Sequence, residues 1–139
     1  MFSKVLVPVD VSLTDETQRQ LQAAKTLTAP WNSDLHVVTV VPNVGMAIVG
    51  SYFDDDFEAK SKSAVQVALD EAVNAAGLSA NTYALTGTVY DKVIDLADKL
   101  AIDLILIGAH QPALRDYLLG SNAARVVRHA KTSVLVLRN

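Results

Sequence analysis

Short apolar runs rich in β-branched residues alternate along the chain with longer stretches in which apolar positions recur at helical spacing. Residues 5–9, 36–41, 82–86, 104–107 and 133–137 read as five strands, the second stopped by Pro42. Between them, Leu13, Leu21, Ala24 and Leu27 fall on one helical face, with Ser12 and Asp15 at capping-box spacing ahead of it. Val65, Leu69, Ala72, Val73 and Ala76 form a second stripe, closed by Gly77 as a C-cap. Val89, Val93, Leu96 and Leu100 form a third, opened by Thr88 with Asp91 three residues on, and residues 122–130 a fourth. The strands are nearly continuous in apolar residues. In a chain that alternates strand with helix, this predicts a parallel sheet buried by helices on both faces.

The 43–57 stretch fits neither period. A loop of that length in a compact domain is usually functional or mobile, and its Met46, Ile48, Val49 and Tyr52 suit a cover over a site or a contact with a partner, and equally a short irregular helix packed on its own body. Asp54, Asp55 and Asp56 precede a helix and read as partners of its dipole rather than as a metal cluster.

At 139 residues the chain is long enough for one domain with a proper core, taken as residues 1–139. Half the residues are hydrophobic and 19% charged, with a net charge of −3, which points to a globular protein and away from nucleic acid. Cysteine is absent, so disulfides, thiolate metal sites and a cysteine nucleophile are all excluded. The first ten residues are interrupted by Pro8 and Asp10 and do not read as a signal peptide, and no apolar run approaches a membrane span. The expected location is cytoplasmic.

The most informative segment runs from Ile107 to Val127. It leaves a strand, crosses a loop with Gly108 and Gly120 at its ends, and enters a helix at Ser121-Asn122. A glycine-bounded loop feeding a helix N-terminus admits an anion, because free N–H groups and the helix dipole meet there. In an open α/β sheet, ligands bind beyond the carboxyl ends of the strands where the strand order reverses. The segments that would converge there are Pro8-Val9-Asp10, Val41-Pro42, Gly87, Gly108-Ala109-His110 and Gly120-Ser121-Asn122. Asp10 can accept from ribose hydroxyls or an amino group, the backbone near Val41 can pair with an adenine edge, and Pro8 and Val9 supply an apolar wall. Ser121 and Asn122 can donate to phosphate. Taken singly, Asp10 reads sooner as a turn acceptor and Ser121 sooner as an N-cap than as ligand contacts; taken together with the glycines they read as a nucleotide site. Of the three histidines, His36 and His129 read as structural, and His110 as either a phosphate contact or a loop anchor.

MFSKVLVPVDVS, VVTVVP and IGAHQPALRDYLLGSNAARVVRHAKTSVLVLR resemble the universal stress protein family over the whole chain. YLLGSNAA, VVRHA and SVLVLR are similar to its F- and G-type branch, associated with ATP binding. The resemblance implies a single three-layer domain with strand order 3-2-1-4-5 and a homodimer built on the last strand, Ser133–Leu137. It also implies a site for ATP, ADP or AMP at Asp10, the backbone near Val41, Gly108, Gly120 and Ser121. ATP-binding members carry G-x2-G-x9-G followed by Ser or Thr. Here Gln111 stands at the second glycine and the loop is one residue shorter, as in the F- and G-type branch; His110 and Arg115 are the candidate compensating donors, with Arg115 reading equally as a solvated side chain.

With three scattered histidines no dedicated metal site is expected, and magnesium would enter only with the phosphates. No Walker-type loop and no G-x-S-x-G elbow occurs, so no catalytic residue is assigned. The expectation is a stress-response protein that acts through nucleotide occupancy and partner contacts. The alternative is a slow ATP hydrolase or autophosphorylating enzyme using the same site. A phospho-acceptor signalling domain is excluded: Asp10 is alone after the first strand, and Gly87 stands where the acceptor aspartate would be.

Overall fold

The computed structural model describes residues 1–42, 55–109 and 120–138, with side chains of residues 55–61 excepted. Five strands, β1 (Lys4–Pro8), β2 (Asp34–Val41), β3 (Asn81–Thr86), β4 (Leu104–Gly108) and β5 (Ser133–Leu137), form one all-parallel sheet in the order 3-2-1-4-5. Four helices connect them: α1 (Thr14–Thr28), α2 (Asp55–Ala75), α3 (Val89–Lys99) and α4 (Ser121–His129), with a 3-10 turn at Ala29–Trp31. The fold class and strand order are those expected.

Strand alternation sorts the core into two layers. Val5, Val7, Leu35, Val37, Leu104 and Leu106 face Leu21 and Ala24 of α1 and Leu69 and Val73 of α2. Leu6, Val38, Ile105 and Ile107 face Val93 and Leu96 of α3 and Ala123 and Val126 of α4. Right-handed crossovers require this division. The chain moves outward from β1 to β3 with its helices on one face, then returns to β4 and β5 with its helices on the other.

Several local readings are corrected. The buried stripe of α1 is Thr17, Leu21, Ala24 and Thr28, while Leu27 is 37% exposed. The two threonines tolerate burial because their hydroxyls donate to Asp10 O (2.7 Å) and Ala24 O (2.8 Å). No capping box forms: Leu13 is the N-cap, and the Ser12 hydroxyl turns back to the Asp10 carboxylate, a charged acceptor, at 2.6 Å. Residues 55–57, expected to be irregular, begin α2, and 43–54 lie outside the described residues.

Gly77 ends α2 as expected. It has φ +69°, and the Leu78 N–H donates to Val73 O and the Gly77 N–H to Asn74 O, a Schellman arrangement. The same arrangement ends α3 without a glycine. Ala101 sits at φ +55°, with the Ile102 N–H on Ala97 O and the Ala101 N–H on Asp98 O.

His36, nearly buried on β2, joins two partners: Nε2 meets Asp34 Oδ2 at 3.0 Å and Nδ1 meets Tyr83 Oη at 2.9 Å. Burial, and then the Asp34 carboxylate, raise the Tyr83 phenol above its ordinary value of 10.0.

Two measurements check these features. Ala101→Gly should raise unfolding stability by roughly 0.5–1 kcal/mol, since relief of left-handed strain outweighs the added freedom of the unfolded chain, and urea denaturation reads it. Because the folded protein prefers neutral Tyr83, this residue's contribution is complete below the unfolded phenol pKa and is lost as pH rises through the higher folded one. Denaturation midpoints followed through the alkaline range should therefore fall less steeply in Tyr83→Phe than in the parent.

Candidate functional site

Beyond the carboxyl ends of β1 and β4 lies a cleft of about 1280 Å³, lined by Pro8, Val9, Asp10, Val41, Gly108, Gly120, Ser121 and Asn122 among others. It opens because β1 and β4 part early. They pair only at Val5↔Leu104 and Leu6↔Ile105, whereas β4 and β5 stay in register from Leu104↔Ser133 to Gly108↔Leu137.

The first wall is the loop from β1 to α1. Val9 N–H still donates to Val38 O at 2.8 Å, so the strand ends tied to β2. Asp10 then turns the chain. Its Oδ1 accepts from the Ser12 N–H (3.0 Å) and hydroxyl, and its carbonyl accepts from the Leu13 N–H (3.0 Å) and the Thr17 hydroxyl. The turn-acceptor role is thus filled by Oδ1 alone. Asp10 is exposed at the cleft, and Oδ2 makes no bond among the described residues.

The second wall is the end of β2. Val41 lines the cleft, but its carbonyl accepts from the Gly87 N–H at 2.9 Å. Peptide groups alternate sides along a strand. Since Val38 O faces β1 and Val41 O faces β3, the peptide groups of Val40 face the β1 side, past the point where β1 has ended. Gly87 does not line the cleft. It holds the end of β2 from beneath, at φ +142°, where a Cβ would lie 2.7 Å from Lys92 Cε.

The third wall is the β4 end and the start of α4. The Ala109 N–H donates to Leu137 O (2.8 Å) and the Gly120 N–H to Ala109 O (3.1 Å), which staples the two ends of the intervening loop. Gly120 is the N-cap and Ser121 the first helical residue, so Ser121 is not a cap. The helical ladder starts with the Ala124 N–H on Gly120 O. The amides of Asn122 and Ala123 lie ahead of it at the positive end of the dipole, on residues that line the cleft. His110 and Gln111 fall outside the described residues.

The floor and rim come from α1, and the sequence reading missed them. Glu16, Arg19, Gln20 and Ala23 form a stripe at helical spacing along the cleft. Gln20 Nε2 donates to Pro8 O at 2.7 Å and to Leu106 O at 3.3 Å, bridging β1 and β4 where they part. The signal is the polar stripe Glu16-x-x-Arg19-Gln20, which apolar periodicity does not register. Arg138, after β5, also lines the cleft. Among the described residues no group of three His, Asp or Glu side chains is placed to hold a metal, and no helix is long and apolar enough to cross a membrane.

Residues 1–138 match the model of the universal stress protein family. The chain belongs to that family. It is 29% identical to Universal stress protein G of Salmonella typhimurium, over 99% of this chain and all of that one. Among solved structures, it is similar to a universal stress protein in complex with cAMP, with 26% identity, a TM-score of 0.66, and 99% and 97% of the two chains covered. A universal stress protein from Archaeoglobus fulgidus in complex with dAMP shares the fold, with 22% identity, a TM-score of 0.65 and 96% of each chain covered.

Proposed function

We propose that this universal stress protein binds an adenine nucleotide, ATP, ADP or AMP, in the cleft between β1 and β4. It would act in the stress response of the cytoplasm through occupancy and through contacts of a homodimer. The observation that carries the reading is the polarity of the cleft. An acidic turn at Asp10 and an open strand end at Val40 stand on one side, and the amide-bearing start of α4 on the other. Adenine would meet the Val40–Val41 backbone, with Pro8 and Val9 as the apolar wall. Ribose would meet Asp10 Oδ2. The phosphates would lie on the α4 side of Gly108, against the Gly120-Ser121-Asn122 turn, where backbone donors and the dipole favour them. Magnesium, where present, would be carried by the phosphates. The relative bound to cAMP supports an adenine nucleotide as the ligand class.

The homodimer would form on β5. This strand is a sheet edge in the observed order, and Val134, Leu135, Val136 and Leu137 are only half buried on it. An apolar edge without proline favours pairing with a second copy about a two-fold axis.

Titration calorimetry with AMP and ATP tests the site. Ser121→Asp places a carboxylate in the first turn of α4, which suits the dipole but opposes phosphate. ATP affinity should fall at least tenfold while the melting temperature without nucleotide stays within a degree or two. Unchanged affinity sinks the phosphate placement, and release of ADP during the titration would favour the hydrolase reading. For the interface, Leu135→Pro should give monomer or aggregate by light scattering, and an unchanged dimer mass would exclude β5.

A further inference from the structure

Among the described residues, Gln20 is the one side chain that bridges both strands at the point where the cleft opens. Its amide nitrogen donates to carbonyls on each, Pro8 O at 2.7 Å and Leu106 O at 3.3 Å. That pairing fixes the orientation of the amide, because the reverse orientation would set Oε1 against two carbonyl oxygens. Oε1 is therefore directed away from both. A Cβ placed on Gly108 would meet it at 3.4 Å, so Oε1 stands beside the Gly108 end of the floor. Among the described residues no donor reaches Oε1 and no buried side-chain oxygen lacks a partner, so this oxygen is accessible. Gln20 lines the cleft, and the cleft is the space it opens to.

An accessible acceptor, held in place by two bonds on its own amide nitrogen, accepts a hydrogen bond and repels a phosphate oxygen. Asp10 Oδ2, also in the cleft, has the same character. The start of α4 and the Arg19 guanidinium have the opposite one. The floor between Asp10 and Gly108 is thus built for a group that donates.

We propose that Gln20 is a specificity-determining residue of the cleft, whose side-chain carbonyl accepts a hydrogen bond from a ribose hydroxyl of the bound nucleotide. This deepens the nucleotide reading given above and rests on it. Gln20 then has two linked roles: its nitrogen sets the separation of β1 and β4, and its oxygen reads the sugar lying between them. A site that hydrogen-bonds a hydroxyl disfavours the analogue lacking it, because the acceptor is left desolvated.

The experiment is calorimetric titration of the full chain with AMP, 2′-deoxy-AMP and 3′-deoxy-AMP. The wild type should favour AMP over one of the two deoxy analogues by about tenfold. Gln20→Lys keeps a donor for the two strand carbonyls and removes the acceptor; Gln20→Met removes both. In each variant the ratio of AMP to deoxy-AMP affinity should fall to within about twofold for an analogue that the wild type disfavours, the hydroxyl held by Asp10 Oδ2 keeping its own ratio, whatever happens to affinity as a whole. A purely structural tie would lower all three affinities together and leave the ratio intact, and that result would overturn the proposal. Absence of discrimination in the wild type overturns it without any variant. If the wild type binds no adenine nucleotide, the broader reading fails, an outcome distinguishable from binding with an unchanged ratio.

Discussion

The parting of β1 from β4 is the constraint on which the rest of the structure turns. Both strands carry helices to opposite faces of the sheet, so no crossover covers the gap between their carboxyl ends. The amino ends of the seam are held by Asp103, whose carboxylate accepts from the Ser3 N–H (2.9 Å) and the Lys4 N–H (3.0 Å). The carboxyl ends are held by the Gln20 amide. Between these two clamps only two residue pairs remain in register, and the strands diverge into a cleft. Without the second clamp, Pro8 O and Leu106 O would face the opening with no side-chain donor.

The walls of the cleft use their backbone groups economically. Carbonyls and amides at the strand ends are joined to neighbouring elements: Val9 to Val38, Val41 to Gly87, Ala109 to Leu137, and Gly120 to Ala109. What stays open is specific. Among the described residues, one oxygen of Asp10, the Val40 peptide groups and the amides of Asn122 and Ala123 are left to face the space between, and these are groups that an adenine, a ribose and a phosphate can each satisfy.

Helix packing supports this frame from beneath. Gln18 and Gln22 donate to Ala72 O and Ala76 O near the end of α2, at 2.9 and 3.1 Å, fixing α1 against its neighbour. With α1 anchored, Thr17 can hold the Asp10 turn and Gln20 can hold the seam. On the other face, Arg125 lies over the Tyr90 ring at 4.9 Å and His129 packs 6.3 Å from it, which joins α4 to α3. His36 and His129 therefore have the structural surroundings expected of them, while His110 lies outside the described residues.

The order of elements, the parallel sheet and the two apolar layers were determined by the sequence itself, because burial on both faces demands near-continuous apolar strands, and Val5, Leu6 and Val7 or Leu104, Ile105 and Leu106 satisfy nothing else. Gly77 was legible because a left-handed helix end favours glycine; Ala101 was not, because packing imposed the same conformation on a residue that gives no such signal. That Asp10, Gly108 and Gly120 would meet at one cleft was legible because strand ends converge beyond the carboxyl edge of such a sheet. Which backbone groups face the cleft was decided only by the tertiary structure: strand register turns Val41 O to Gly87 and leaves Val40 to the opening, and Gly87 supports the wall without lining it. Gln20 belongs to the same class. A glutamine on a helix reads as a surface residue until the fold brings carbonyls of β1 and β4, far apart in sequence, within its reach.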